Sequence, residues 1–371
     1  MPDSTDIFVI GGGPAGLAMA IAARQRGLRV VVADGSQPPI DKPCGEGLLP
    51  ESVEALRSLG VQIPHSDAHP FVGIRFLTAD ESADAPFPDQ GFALAVRRPA
   101  LHRAMIDRAE QLDAELLWRT PVTGISPDGV QLGGRFVRAR WIIGADGSNS
   151  RVRRWAGLDQ GPRPRLRYAF RRHFRVAAWT DHMEVYWSAH CQGYATAVGP
   201  EQVCVAIAAH DPNLRIEQGL RTLPRLAQHL RGVGMCSAER GSLTGNRRLA
   251  RVWQNNVALI GDASGTVDAI TGEGLGLAFR QAIVLAECLE AVNMARYQRE
   301  HRTLALRPWW MARLMLTLDC RPALQKRTLL AFQKHPELFH RLLALHVGAL
   351  PAGRAVKDGL TLGWELLTTQ N

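Results

Sequence analysis

Lysine is nearly missing from this chain: it stands only at Lys42, Lys326, Lys334 and Lys357. The formal net charge of +9 is therefore carried by arginine. An excess of positive charge invites a nucleic-acid reading. No helix-turn-helix, zinc-finger or aromatic RNA-recognition signature accompanies it, so nucleic acid is not an expected partner. The arginines fit compositional bias together with sites for an anionic group. Long hydrophobic runs are also missing, and none approaches the ~20 residues that a membrane span needs. Asp3 and Asp6 precede the first apolar stretch, which is not how a signal peptide begins. A cytoplasmic protein is expected. The six cysteines (Cys44, Cys191, Cys204, Cys236, Cys288, Cys320) form no CxxC pair. His65 and His69 stand in a Ser/Asp/Pro-rich stretch without further ligands, so no metal site is expected. No internal repeat or low-complexity tract is present.

What is there describes a globular protein. With 371 residues, 46% hydrophobic and 21% charged, the chain can bury a sizeable core and is long enough for two packed domains. Its opening reads strand, turn, helix, strand. Ile7-Phe8-Val9-Ile10 is a short apolar run, Gly11-Gly12-Gly13-Pro14-Ala15-Gly16 is the turn, and Leu17 to Arg26 is Ala-rich and helical. Gly27 ends the helix, and Arg29 to Asp34 is the next strand. In such a βαβ unit, Gly11, Gly13 and Gly16 permit a tight turn, close approach of backbone to a pyrophosphate, and close helix–strand packing. The helix N-terminus turns free N–H groups toward the phosphates, and Asp34 ends the second strand where a carboxylate accepts bonds from ribose hydroxyls. The unit implies dinucleotide binding but does not choose between FAD and NAD.

Farther along, short apolar runs between Val72 and Val96 read as strands. Pro99 to Gln111 reads as a helix, and strands are expected at Glu115 to Trp118, Val122 to Ile125 and Arg140 to Ile143. The alternating, Val-, Tyr- and Trp-rich stretch Tyr168 to Ala209 predicts an antiparallel sheet outside the nucleotide-binding layer. Leu214 to Leu230 reads as helical, Val257 to Ile260 as a core strand, and Gly274 to about Val292 as a long helix. From Tyr297 on the pattern is helical, punctuated by Pro308, Pro322, Pro336 and Pro351.

Two later segments carry a resemblance. Gly144-Ala145-Asp146-Gly147-Ser148-Asn149-Ser150-x-Val152-Arg153 resembles the GADGxxSxVR segment of para-hydroxybenzoate-hydroxylase-like flavoproteins. Gly261-Asp262-Ala263 with Thr271-Gly272-Glu273-Gly274 resembles that superfamily's GDA…GxG segment. The resemblance spans residues 7 to about 290 and implies FAD as cofactor. By it, Pro14, Ala15, Asp146 and Leu275 also border the cofactor, and Asp262 meets the ribityl and pyrophosphate region. Backbone N–H groups at Gly272 and Gly274 can then face the flavin's pyrimidine edge, where negative charge develops on reduction. Arg97-Arg98-Pro99-x-Leu101 resembles the RxxL segment, which implies Arg98 as a cofactor contact. Val122 matches the position whose backbone meets the adenine.

A narrower resemblance lies in Lys42-Pro43-Cys44-Gly45-Glu46-Gly47-Leu48, which is similar to the KxCGxG loop of the geranylgeranyl-reductase-like branch. It implies that Cys44 or Glu46 touches flavin or substrate and acts as a catalytic residue; a tight loop around a buried thiol is the alternative. The chain departs from that branch at Gly193-Tyr194-Ala195-Thr196-Ala197-Val198-Gly199, which lacks the Trp and Pro of the aromatic GYxWxFP segment. No WxWxIP stretch of tryptophan-type halogenases is present. The tail, with Trp309, Trp310, Met311, Phe332 and Phe339 among arginines, can pack on the body, roof a lipophilic cavity, or contact an anionic membrane surface.

The expected architecture is α/β. A Rossmann-like FAD-binding domain (residues 1–75, 98–160 and 245–295) is interleaved with a β-rich substrate domain (76–97 and 161–244) and followed by a helical segment, 296–371. The expected function is an FAD-dependent monooxygenase that uses NADH or NADPH and O₂ on a hydrophobic phenolic, polyketide or prenyl-type small molecule. A reductase or dehydrogenase acting on a C=C or C–C bond is the alternative, and a non-catalytic flavin-binding protein is a third.

Overall fold

The computed structural model describes residues 3–161 and 165–350. The first apolar run lies in the strand Ser4–Ile10, and Gly13 leads into helix α1 (Pro14–Arg24). α1 opens with proline, whose missing N–H is not needed in a first helical turn. The chain returns as the strand Val30–Ala33, parallel to the first. Helices α2 (Pro50–Ser58), α3 (Arg98–Gln111) and α4 (Arg151–Trp155) follow.

These elements surround a sheet whose parallel core runs Glu115–Leu117, Val30–Ala33, Ser4–Ile10, Arg135–Gly144, Val257–Leu259. The order reverses at the first strand, because Val30–Ala33 lies on one side of it and Arg135–Gly144 on the other. In such sheets ligands settle outside the carboxyl ends of the strands at this switch point. One face is covered by α1, α3 and the later helix α7 (Gly274–Glu290), through a core that includes Leu17, Met19, Ile21, Met105, Phe279 and Leu285. On the other face Phe8, Val31 and Ile142 meet Val130, Val137 and Val152.

A second sheet is built around the antiparallel strands Arg167–Arg175, Gln202–Ala209, Cys191–Gly199 and His182–Trp187, and is extended by Gly73–Leu77 and Ser82–Pro86. The expected boundary at residue 75 thus falls inside a strand, because Gly73–Leu77 pairs along its whole length with His182–Tyr186. A small sheet of Gly47–Leu48, Ala93–Val96 and Ala68–Phe71 also forms, so the 37–50 loop is not wholly irregular.

The helical stretch expected at 214–230 is two short helices, α5 (Ile216–Leu220) and α6 (Pro224–His229), divided where Pro224 starts a new first turn. Helix α7 (Gly274–Glu290) stops two residues short of Val292, which has φ of +52°. Helix α8 (Met294–Leu318) runs straight through Pro308, contrary to the expected break, whereas Pro322 and Pro336 do open α9 (Pro322–Lys334) and α10 (Pro336–His346). Pro351 lies outside the described residues. α9 and α10 cover the second sheet: Phe332, Phe339 and Leu342 pack with Phe76, Trp187 and Val185.

Candidate cofactor site

The glycine turn, Asp34, the Ala145-Asp146-Gly147 segment and the Gly261-Asp262 segment each follow the carboxyl end of a strand in the first sheet, so its parallel register brings them to one edge. Gly11 has φ of +113°, and a Cβ there would lie 2.4 Å from the Ala145 carbonyl oxygen. Gly16 is equally constrained, since its Cβ would come within 1.8 Å of the Gly11 carbonyl. Ala15 sits against Gly261, whose own φ is +56° and whose Cβ would come within 2.8 Å of the alanine methyl carbon. Pro14 is buried at the start of α1. Gly11 therefore seats the turn against the Ala145 segment and Gly261 seats its own segment against Ala15, while Gly13 alone of the turn's glycines faces open space.

Asp34 accepts from Gly12 N at 2.7 Å through Oδ2 and from Ser36 N at 2.7 Å through Oδ1. Each oxygen keeps a second lone pair for a ribose hydroxyl. His102, one turn after Arg98 on α3, donates from Nε2 to the Gly12 carbonyl at 2.7 Å and accepts from Ile40 N at 3.2 Å. Burial, more than anything else, lowers its pKa and keeps it neutral. This buttress was not anticipated, although a histidine four residues from an expected cofactor contact was a readable signal.

The Asp146 side chain is spent on local backbone and hydroxyl donors. Its Oδ1 accepts from Ser150 Oγ at 2.5 Å, and its Oδ2 accepts from Arg151 N at 2.7 Å and Val152 N at 3.2 Å. The carboxylate thus holds the first turn of α4, where negative charge is favoured. Buried Arg153 then ties the two segments together. It donates to Ser148 O at 2.8 Å and Ala263 O at 3.0 Å, and its Nε pairs with Asp159 at 2.6 Å.

Asp262 is open to solvent although set deep among protein groups, the placement of a residue at the floor of a cleft. That surrounding raises its carboxyl pKa, while Lys42, Arg98 and Arg153 pull it down. Lys42 also approaches the GADG segment, with Nζ 3.6 Å from where a Gly147 Cβ would sit. Gly272, at φ +67°, and Gly274 lead into α7, and Leu275 packs in its first turn. Val122 is not on a strand: it is buried in the loop between Glu115–Leu117 and Gly124–Ser126, and Thr120 N of that loop donates to Asp34 O at 2.9 Å.

Glu46 is not a free carboxylate in the cleft. It is 1% exposed and has φ of +60°, held in the left-handed region between Gly45 and Gly47. Its Oε1 accepts from Arg98 N at 3.1 Å, at the start of α3, and its Oε2 meets His173 Nε2 at 2.7 Å. His173 continues to Arg171 at 3.1 Å and Ser237 Oγ at 2.9 Å, and Arg171 reaches Asp41. Glu46 therefore joins the 41–47 loop, the amino end of α3 and the second sheet. Cys204 lies close enough that its sulfur, Glu46 and His173 form a group with ligand atoms within 4.8 Å of one another. The Arg171 guanidinium already supplies positive charge there. Cys44 is half-buried at this seam, and its Sγ accepts from Glu46 N at 3.3 Å.

The edge fits FAD. A Cβ on Gly13, Gly272 or Gly274 would meet no atom within 4 Å, so backbone is bared where the pyrophosphate and the flavin are expected. Arg98, at the start of α3, keeps a buried Nε without a hydrogen-bond partner among the described residues and lies near enough to Asp262 to draw its pKa down, so positive charge stands at this edge.

The sequence matches the FAD binding domain family over residues 4–305. It is similar to the menaquinone reductase of Mycobacterium tuberculosis (strain ATCC 25618 / H37Rv), at 28% identity over 79% of this chain and 78% of that protein. It is also similar to digeranylgeranylglycerophospholipid reductase 1 of Methanothermobacter thermautotrophicus, at 26% identity over 74% of each. In fold it resembles a flavoprotein/dehydrogenase of Cytophaga hutchinsonii, with a TM-score of 0.84, 17% identity, and coverage of 98% of this chain and 99% of that one.

Proposed function

The chain belongs to the FAD binding domain family and is an FAD-dependent oxidoreductase; we propose that it reduces a carbon–carbon double bond of a lipophilic, prenyl-type small molecule, with NADH or NADPH as the source of electrons. The observation that carries this reading is the placement of the Lys42–Leu48 loop. Glu46 pins it between Arg98 and His173, so Cys44 stands where the cofactor edge meets the second sheet. The similarity to two lipid reductases over about three-quarters of their lengths supports the same reading.

Bound FAD supplies two-electron transfer; the protein supplies binding, placement and electrostatics. Gly11, Gly13 and the amino end of α1 would hold the pyrophosphate, and Asp34 a ribose. Arg98, Lys42 and Asp262 would line the stretch between phosphate and flavin. Gly272 and Gly274 would offer backbone N–H groups to the flavin's pyrimidine edge. Glu46 and His173 keep Arg98 and Cys44 in register. The reading is tested under argon with NADH or NADPH and menaquinone or geranylgeranyl lipids, and the product should gain two hydrogens by mass. Strict dependence on oxygen would overturn it.

A second reading, hydroxylation of a hydrophobic or phenolic substrate with O₂, is favoured by one specific observation. Where lipid reductases of the resembled branch carry an aromatic segment, this chain has a buried polar network. Tyr194 donates to Gln192 at 2.8 Å, and Arg167 lies between Asp268 at 2.9 Å and Asp319 at 3.2 Å. Product labelled by ¹⁸O₂ selects this reading; unlabelled product excludes it.

Peripheral contact with an anionic membrane is part of the proposal. No helix among the described residues is long and apolar enough to cross a bilayer. α8 instead exposes Leu306 and Trp310 beside exposed Arg302 and Arg313, a face that suits a bilayer surface.

A further inference from the structure

Behind the Gly272–Gly274 turn lies a buried cluster that the roles above do not use. Glu273, between the two glycines, points inward and is 4% exposed. Facing it are Glu51 from α2, Arg280 from α7, Arg307 from α8 and His346 from α10. Arg307 forks onto Glu51, with one bond of 2.8 Å, and lies 3.4 Å from Glu273 Oε1. Arg280 also pairs with Glu51, at 2.9 Å.

His346 sets the proton count. Its Nε2 lies 3.0 Å from the Thr271 carbonyl oxygen, which can only accept, so Nε2 carries a hydrogen. In the neutral ring Nδ1 is then a lone pair, and it faces Glu273 Oε2 at 3.4 Å. Neither of these atoms has a hydrogen-bond partner among the described residues. Two buried acceptors turned toward each other repel unless a proton lies between them.

We propose that Glu273 and His346 share one exchangeable proton directly behind the flavin-facing turn, and that its presence sets how readily FAD held there accepts electrons. Burial pushes the Glu273 carboxyl up to about 8 and the His346 imidazole down to about 4, so the proton resides on Glu273. In that state Arg280, Arg307 and Glu51 leave one net positive charge. Once Glu273 ionises, the cluster is neutral. Reduction of the isoalloxazine adds two electrons and one proton to the ring, leaving one negative charge. Above the titration of Glu273 that charge draws a second proton from solvent onto the carboxylate, so two electrons arrive with two protons.

The inference rests on the placement of the flavin at this turn and is tested with FAD-loaded protein. The midpoint potential is measured against pH, with dithionite as reductant and an indicator dye. Each proton taken up per two electrons tilts that line by about 30 mV per pH unit. The wild-type line should bend from about 30 toward about 60 mV per pH unit above pH 8. Glu273→Gln, which keeps a neutral side chain, should give a straight line at the shallower slope. His346→Leu removes the acceptor for the Glu273 proton and should move the bend to lower pH; it carries the test if Glu273→Gln does not fold. A straight wild-type line, or the same bend in Glu273→Gln, overturns the inference and leaves FAD binding intact. Protein that takes up no FAD at all overturns both.

Discussion

Arg153 shows how much one side chain can organise. It joins the loops after two strands that are adjacent in the sheet but separated by more than a hundred residues of chain, through carbonyls at Ser148 and Ala263 and the Asp159 carboxylate. Lysine keeps the charge but lacks the planar fork. Arg153→Lys should therefore lower stability by about 2 kcal/mol, the cost of leaving the Ser148 and Ala263 carbonyls without their donor, as read by urea unfolding of the apoprotein. Glu46→Gln should cost about 3 kcal/mol and weaken FAD retention on gel filtration, since it leaves His173 and Arg171 facing a neutral amide. Asp34 was legible in the sequence because its partners are local: a glycine turn 22 residues before it and a strand that ends on it. Glu46 was not, because its partner His173 lies 127 residues away on another sheet, and only tertiary packing turns a carboxylate that looked catalytic into a brace. The bonds of the Asp146 side chain are local instead. Its acceptors are satisfied within six residues by the helix that it starts.

At the scale of elements, the turn between the first strand and α1 tolerates no side chain at Gly11. Gly11→Ala combines a left-handed φ with a clash against the Ala145 carbonyl, and should abolish flavin absorbance in the purified protein. Helices α1, α3 and α7 were readable from their apolar residues, because all three share one core: α1 packs on the first two strands, and α3 and α7 pack on α1. The region 214–230 and Pro308 were not, for one physical reason. Proline is tolerated in a first turn and disfavoured inside a helix, yet its position relative to the turn cannot be read from composition alone. At Pro308 the residue is buried, and packing against the body offsets the lost hydrogen bond. The exposed face of α8 carries its own prediction. Leu306→Ser with Trp310→Ser should cut co-sedimentation with anionic phospholipid vesicles several-fold while FAD content stays unchanged.

For the molecule as a whole, three buried groups shape the dependence of stability on pH. His301 and His346 are both held down to about 4 by burial, below their ordinary value of 6.5. Below that ordinary value the unfolded chain binds protons that the folded histidines refuse, so stability falls as pH falls. Glu273 acts in reverse. Its folded pKa, raised to about 8 from an ordinary 4.5, leaves the folded protein holding a proton that the unfolded chain has lost. Its contribution therefore declines as pH rises from about 4.5 to about 8, opposing the histidines on the acid side and acting alone above their ordinary value. Calorimetry of the apoprotein should find a maximum near pH 6.5 and a shallow alkaline decline, and Glu273→Gln should flatten the alkaline arm while steepening the acid one.

The proposed cofactor edge draws on residues 11 to 16, 34, 144 to 153 and 261 to 263, set side by side by one parallel sheet, and on residues 98 and 272 to 275 at the starts of α3 and α7. A chain leaving the ribosome cannot assemble that edge until its last contributing segment has emerged. At roughly 5–20 residues per second this means tens of seconds during which the opening βαβ unit exists without its neighbours. Flavin capture is thus a late event in the life of the nascent chain. The cofactor then acts as a clamp on an already completed sheet, stabilising the folded protein by mass action rather than guiding its first turns.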